Sequence, residues 1–590
     1  MGTETSQVIR VERTDDIPVL LAQALHLQLA ELLDRHFPTS HLWKGELTFG
    51  EVVSVWLTFL ISQGDHRLYQ LQPWAEHHLL TLQQILTKSV RPLDFHDDRL
   101  ADILDRFAQP ECWGAFEADL NQNTIRVYHL RPSLFRIDTT TASSYAEILS
   151  EDGLLQFGHS KDRDDLPQIK IAIAALDPLG LPITTVAVPG NSADDPLYVP
   201  EVKKVQRAFG KGGKTFVGDC KMASLDIRAY LVSTHETYLC PLTQKQVSKQ
   251  VRSVLLQSVW VGRQTLQQVH RPPVKGQTQQ LVALATAADG QTPELVAEGF
   301  ALDVQQHAKV DGKQIVWMER RWVVRSLAFA QGQQKQLERR LQSALEQIGQ
   351  LNKRKHGKKV LTAKEMREAT AAIVKKQRVE GLLCCQVRTT TRNRTLRRYR
   401  ERPERVVREQ THRVEVTRQQ DVIALALREM GWRVYATNHL EMNLVAVVWG
   451  YRGQYRIEDD WSRLKGKPLS LTPMYVQEES RIQGLVLLLI LAIRQLTLLE
   501  WTVRKKLTQS EETLRGVYPG QPGRQAERPG AEMLLKVFKD INLTIVEVSD
   551  QQMAHITPLT SLQEQLLVLW ELPSDLYRRL TLPISETPKS

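Results

Sequence analysis

The sequence predicts a mixed α/β core carried between helical segments, and three observations predict it. Helix-length apolar periodicity fills residues 15 to 130 almost without strand-like runs, short β-branched runs set off by turn residues follow, and helical pattern returns late in the chain. At 590 residues the chain exceeds the size at which one hydrophobic core stops growing, so several domains are expected around a large central one.

The stretches ALHLQLAELLDRHF, LTFGEVVSVWLTFLIS and RLADILDRF read as helices of an all-helical N-terminal domain over residues 1–130. Between 131 and 243 come LFRIDTTT, IKIAIAALDPLG, LPITTVAVPG and KTFVGDC, with the helix-like VPEVKKVQRAF before the last, and these form the first part of a mixed sheet. Asp177-Pro178-Leu179-Gly180 reads as a hairpin turn between two of the strands. From 244 to 430 the chain becomes rich in Gln, Arg and Lys and reads as a large inserted α+β domain. Its strand candidates are LVALATAADG, QIVWMERRWVVRS and GLLCCQVRTTT, and its long helix is QKQLERRLQSALEQIGQLNKRKH. The segment Arg388 to Arg413 holds ten arginines, which suit contact with DNA and equally suit a solvated charged face.

The core pattern resumes over 431–518 with the strand WRVYATN and a helix from about Glu441 through residue 466. The apolar run Leu485 to Ile493 is too short to span a bilayer and is followed at once by Arg494, so it reads as a buried helix and no membrane association is expected. PGQPGRQAERPG (Pro519 to Gly530) reads as a linker, and residues 519–590 as linker plus a small helical C-terminal region.

Lysine and arginine number 77 against 67 acidic residues, a formal charge of +10. That excess suits an anionic partner, nucleic acid first, and is equally found in ordinary basic soluble proteins. The five cysteines (Cys112, Cys220, Cys240, Cys384, Cys385) show neither CxxC spacing nor a disulfide framework, which fits a reducing cytoplasm. The opening MGTETSQVIRVERTDD lacks a basic segment followed by an apolar run and does not read as a secretory signal.

Three acidic positions stand out by their placement. Asp138 ends the apolar strand LFRI, Asp219 ends the strand TFVG, and Glu458 lies on a helix. A carboxylate at a strand end is held by a rigid sheet yet can point into a cleft, as a metal ligand must, although aspartate is also common where strands simply turn. Around Glu458, the residues Tyr451, Gln454, Glu458 and Lys465 follow offsets of three, four and seven. On a continuous helix they line one stripe, which serves either a site or a charged outer face.

These residues resemble the DDE transposases of bacterial insertion sequences of the IS-four type, and in particular their IS-sixteen-thirty-four-like branch. That group is marked by Tyr, two residues, Arg, three residues, Glu, six residues, Lys. Here YRGQYRIEDDWSRLK puts Tyr451, Glu458 and Lys465 in register, with Gln454 in the arginine position and Arg452 and Arg456 as neighbouring cations. RIDTTTASSY, GHSKDRDDLPQIKIAIAALDPLGLPITTVAVPGNSADD, VGDCKMAS, WMERRWVVRSLA and LKGKPLSLTPMYVQEESRIQG occur in the family's order, over roughly residues 45 to 500.

The resemblance implies a ribonuclease H-like core interrupted by the large α+β insertion, with Asp138 and Asp219 from adjacent strands and Glu458 from a later helix. It implies that the three carboxylates hold two Mg2+ (or Mn2+) ions about 3.5 to 4 Å apart for phosphodiester cleavage and strand transfer. DNA contacts are implied for Tyr451, Gln454, Arg456 and Lys465, for Lys161 and Arg163 in the Gly158 to Arg163 segment, and for Trp432 as a platform for a flipped base, a role Trp317 or Trp322 could fill equally. The partners implied are double-stranded DNA (transposon ends and target) and a second protomer in the synaptic complex, in a bacterial cytoplasm at the nucleoid. The N-terminal domain is the candidate reader of terminal inverted repeats. Two other readings share these residues: a catalytically inactive DNA-binding derivative, and a ribonuclease H-like nuclease without strand transfer.

Overall fold

The computed structural model describes residues 7–39, 43–148, 150–159, 163, 165–271, 294–353, 361–397, 404–472, 474, 476–548 and 551–582. Strand β1 (Gln7–Arg13) leads into helices α1 (Ile17–His26), α2 (Leu29–His36), α3 (Phe49–Gln63), α4 (Leu68–Glu76), α5 (Leu79–Leu86), α6 (Asp97–Phe107) and α7 (Pro110–Tyr128). The start of α3 is written locally: the Thr48 hydroxyl accepts from the Glu51 amide at 3.2 Å and the Glu51 carboxylate accepts from the Thr48 amide at 2.8 Å.

The sheet strands follow: β2 (Leu134–Ser143), β3 (Gln168–Leu176) and β4 (Leu181–Pro189), then helix α8 (Tyr198–Phe209), β5 (Thr215–Val217), α9 (Leu225–Ser233) and β6 (Thr237–Pro241). Beyond them lie α10 (Lys249–Trp260), β7 (Gln267–His270), β8 (Leu295–Val310), β9 (Lys313–Ser326), α11 (Leu327–Leu351), α12 (Ala363–Lys376), β10 (Leu383–Leu396), β11 (Arg405–Arg418), α13 (Gln420–Arg428) and β12 (Trp432–Thr437). The remainder comprises α14 (Leu444–Arg452), α15 (Tyr455–Lys465), α16 (Glu479–Ser510), the short pair β13 (Leu514–Arg515) and β14 (Gln525–Ala526), α17 (Ala531–Lys536), β15 (Asn542–Val548), β16 (Gln551–Ile556) and α18 (Ser561–Leu569).

The fold is mixed α/β, built on a nine-stranded sheet in the order β4-β3-β2-β5-β6-β12-β9-β8-β7. Strands β2, β3 and β4 are antiparallel neighbours, the last two joined by the hairpin at Asp177 to Gly180, whereas β5 runs parallel to β2 and β6 parallel to β5. A helix, α8, precedes β5, and α9 makes the crossover from β5 to β6. Strand β12 then joins antiparallel to β6 on one side and to β9 on the other.

The stretch expected as a separate insertion from 244 to 430 is therefore of two kinds. Its strands β7 to β9 extend the central sheet, while α11, α12, β10, β11 and α13 build a satellite unit with its own small cores around Leu337, Leu341, Val379, Met366 and Val414. Buried pairing joins β9 to the main body: Arg228 of α9 donates to Glu319, which also accepts from the Tyr238 hydroxyl at 2.7 Å.

The N-terminal helices are not a free-standing module. Trp56, Phe107, Ile137, Ile173 and Leu488 belong to one continuous buried cluster spanning the helices, the sheet and α16. Helix α16 contains the apolar run read as a buried helix, and every residue from Leu485 to Leu499 is buried. By length and composition it could cross a membrane, yet here it runs through the protein interior. It lies so close to α6 that a Cβ on Gly484 would collide with the Leu104 backbone, which is why this apolar helix carries a glycine there.

Two further expectations change. Strand β1 pairs with β15, and β15 with β16, so both chain ends contribute to a three-stranded sheet instead of being all-helical. Its residues and Val19 share a second core with Leu496, Phe538, Leu543 and Tyr577. The Pro- and Gly-rich segment 519–530 is folded against this region as the β13–β14 turn, where sequence composition alone suggested a linker.

Candidate active site

The site forms where β2 and β5 lie side by side. Arg136 of β2 is paired in parallel register with Val217 of β5, and each strand places an aspartate two residues later, Asp138 and Asp219. Both side chains are half-buried. Asp219 lies where β5 turns out of the sheet, and its Oδ1 accepts from the Lys221 amide at 2.8 Å and from the Tyr198 hydroxyl at 2.6 Å. Gly218 makes room for this: a Cβ there would sit 2.8 Å from Met222 Sδ and 3.0 Å from the Tyr198 ring.

Tyr198 is 1 % exposed. Burial first, then the charge and hydrogen bond of Asp219 and the nearby charges of Asp138 and Asp194, raise its hydroxyl well above the usual range, so it stays protonated and donates. Asp194 stands behind the aspartates, accepting from Thr139 at 3.1 Å and from Lys170 at 2.8 Å. Burial pushes its carboxyl up, but the Lys170 hydrogen bond and charge outweigh that and hold it ionised below the usual range.

Helix α15 brings the third acid. Glu458 is exposed in the first turn, and one turn later on the same side Trp461 donates its indole N–H to Asp138 Oδ2 at 3.1 Å. A second tether fixes the helix start: Arg456 donates to Asp177 Oδ1 at 2.8 Å, and the buried Arg136 of β2 donates to the same oxygen at 2.8 Å. At its far end Arg463 binds Glu500 of α16 and Glu532 of α17. Of the acidic run that follows Glu458, Asp460 is 2 % exposed, and burial raises its carboxyl well above the ordinary range.

The structure thus pairs the strand of Asp138 with the strand that leads to Asp219 and ties the helix of Glu458 to Asp138, by hydrogen bonds that sequence reading did not find, while the carboxylate oxygens of the three acids do not all lie within 4.8 Å of one another. Tyr198, Trp461, Asp194 and Lys170 carried no local signal, because each acts on a residue distant in sequence.

The other expected contact residues divide. Tyr451 belongs to α14, and the single helix read from Glu441 to 466 is interrupted at Gly453–Gln454. Its ring packs on Tyr435 at 4.9 Å. Burial, then Tyr435, raises its hydroxyl, and the charge of Asp219 adds to the rise. Gln454 stands at the interruption, with its Oε1 buried and meeting no donor among the described residues. Lys465, half-buried, ends α15.

Arg456 is spent on Asp177, as above, and Arg452 turns to the Val296 carbonyl at 3.1 Å. Trp432 is 4 % exposed, inside a core with Phe300 and Val323, and its N–H bonds the Arg428 carbonyl at 3.1 Å. It cannot stack on a base without that core opening, and Trp317 and Trp322 are likewise buried. Arg163 pairs with Asp165 at 2.7 Å on the surface. Lys161 lies outside the described residues.

No protein-family model matches the chain, and no curated protein matches it. Among solved structures, a chain of the piggyBac transposase synaptic complex with hairpin DNA is similar over 43 % of this chain and 56 % of that one, at 12 % identity and a TM-score of 0.25. This chain therefore spans little more than half of that transposase's length, and a likeness so low carries no argument about mechanism. The case for function rests on the motifs and on the site's own geometry.

Proposed function

We propose that the protein is a transposase of the DDE type, a metal-dependent enzyme that cuts DNA at transposon ends and joins the 3'-hydroxyl ends to target DNA. The observation that carries this reading is the parallel pairing of β2, which holds Asp138, with β5, which leads to Asp219, together with Trp461, which ties the helix of Glu458 to Asp138. The five-strand order β4-β3-β2-β5-β6, antiparallel then parallel, with helices before β5 and between β5 and β6, supports a ribonuclease H-like core.

Asp138, Asp219 and Glu458 offer carboxylate oxygens only, a donor set that suits hard divalent cations such as Mg2+ or Mn2+ and disfavours softer metals. When bound, such ions supply positive charge to both the attacking and the leaving oxygen of a phosphodiester exchange. The chain's own residues then do the positioning. Tyr198 and the Lys221 amide orient the Asp219 carboxylate, Trp461 orients that of Asp138, and the Arg136–Asp177–Arg456 bridge holds the start of α15 against β2. Lys465 and Tyr451 serve the phosphates flanking the cut, and duplex DNA and a second protomer are the partners.

The test is cleavage of a labelled duplex carrying the element's terminal inverted repeat, in Mg2+, by the intact protein and by Glu458→Gln. Nicking that vanishes in the variant supports the three-carboxylate mechanism, and joined products extend it to transposition. Tight binding of the ends without cutting in Mg2+ or Mn2+ overturns catalysis and leaves a DNA-binding derivative.

A further inference from the structure

The satellite unit ends in a two-stranded ribbon, β10 paired with β11 from Leu383↔Arg418 to Leu396↔Arg405. At its base Cys385, Val387, Val414 and Val416 pack on α11 and α12. From the pair Arg388↔Arg413 outward, no described residue of either strand is buried. A ribbon of two strands is marginal in water by itself, so this outer part gains nothing from a core.

Register decides what the ribbon presents. Residues directly opposite one another share a face, and alternate pairs return to it. Arg388↔Arg413, Arg392↔Glu409, Arg394↔Val407 and Leu396↔Arg405 therefore lie on one side, giving five arginines there. Arg388 pairs with Glu415 at 2.7 Å and Arg394 with Glu409 at 3.4 Å, whereas Arg392, Arg405 and Arg413 enter no ion pair among the described residues. Two arginines directly opposite on one face repel, a cost that a polyanion would remove.

We propose that this arginine face is a DNA-binding arm that lies in the major groove of duplex DNA. The choice of DNA rests on the functional reading above; the position of the arm rests on the ribbon alone. A two-stranded ribbon fits the width of the B-form major groove. From Arg388 to Leu396 the strand runs ~26 Å at about 3.3 Å per residue, about three-quarters of the ~34 Å of one helical turn. The deep, narrow major groove of A-form RNA would not admit it. The described ribbon residues include no Trp, Tyr or Phe, the side chains on which single-stranded bases stack.

The experiment measures affinity of the full chain for a generic DNA duplex across a salt series, for the native protein and for Arg392→Gln/Arg405→Gln/Arg413→Gln. Each lost phosphate contact lowers the slope of log K against log salt by about 0.9, so a fall of about two to three is expected, with affinity at least ~10-fold weaker at low salt. Methylation of guanine N7, which lies in the major groove, should weaken the native protein and spare the variant. A second variant, Thr390→Glu/Thr411→Glu, adds two negative charges to the same exposed face and should weaken binding without removing an arginine. If both variants bind as the native protein does while Glu458-dependent nicking persists, the arm is overturned and the enzymatic reading stands. If the native protein binds no duplex at all, both fall. If the variants lose RNA binding and keep DNA binding, the assignment to DNA is wrong.

Discussion

Trp461 donates its indole N–H to Asp138 across 3.1 Å, a direct link between the strand of the first aspartate and the helix of the glutamate. Trp461→Phe keeps the ring and removes the donor. We expect a folded protein whose single-turnover nicking is about 10-fold slower, in line with the loss of an outer-sphere support to a ligand. An unchanged rate would mean that the indole only fills space.

Tyr198 makes the matching contact on Asp219. Tyr198→Phe leaves the Lys221 amide as the remaining donor to Oδ1, and the Mg2+ concentration for half-maximal cleavage should rise by about 10-fold or more. Metal titration of the cleavage rate checks it. Because the hydroxyl is held protonated by burial and by Asp219, the native requirement should show no step arising from its ionisation below pH 10.

On the proposed reading Asp138, Asp219 and Glu458 converge on a cation when it binds, and their mutual repulsion is relieved only then. Saturating Mg2+ or Mn2+ should raise the melting temperature by a few degrees, as any ligand selective for the native state does. Asp138→Asn/Asp219→Asn should melt at the same temperature with and without the ion, and an equal rise in that variant would assign the effect to other sites.

Glu319 is fully buried and serves Arg228, Tyr238 and Arg321 together. Glu319→Ala strands the buried Arg228 cation and should cost about 3–5 kcal/mol in chemical unfolding. Glu319→Leu should cost as much, since what matters is the abandoned charge, whereas a loss under 1 kcal/mol would show that β9 is only loosely joined to the main body.

Asp16 yields a pH signature. Burial lifts its carboxyl to about 6, against the hydrogen bond from Ser62. Its folded value lies above its unfolded one, so the native state binds more protons between roughly pH 4 and 6, and stability is lost as pH rises through that window. Asp16→Asn cannot ionise and should escape that loss. Relative to the native chain it should gain on the order of 2–3 kcal/mol above pH 7 and little at pH 4, read by urea midpoints. A gain independent of pH would point to packing.

What could be read in the sequence was local. The hairpin at Asp177 to Gly180, the strand ends carrying Asp138 and Asp219, and the burial of Leu485 to Ile493 each follow from a short window of residue types. What could not be read depends on distance along the chain. Nothing near Tyr198 or Trp461 announces a partner, and nothing in QIVWMERRWVVRS says that it will lie beside WRVYATN in the central sheet. The interruption at Gly453 escaped because Gly453 and Gln454 keep right-handed helical angles, so apolar periodicity runs through it undisturbed. Trp432 was read by analogy of position, and its core partners Phe300 and Val323 come from elements far upstream.

The pairing of β1 with β15 ties Arg13 to Asn542. During synthesis β1 therefore waits, with its hydrogen-bonding edge unmatched, until Asn542 and its neighbours, about 530 residues later, have left the ribosome. Contacts of such sequence separation slow folding, and they make completeness a condition of it. A copy of the gene cut short before residue 540 would yield a chain with an unsealed second core, prone to aggregation and degradation. Shortened products would thus tend to be cleared instead of accumulating beside the full-length protein.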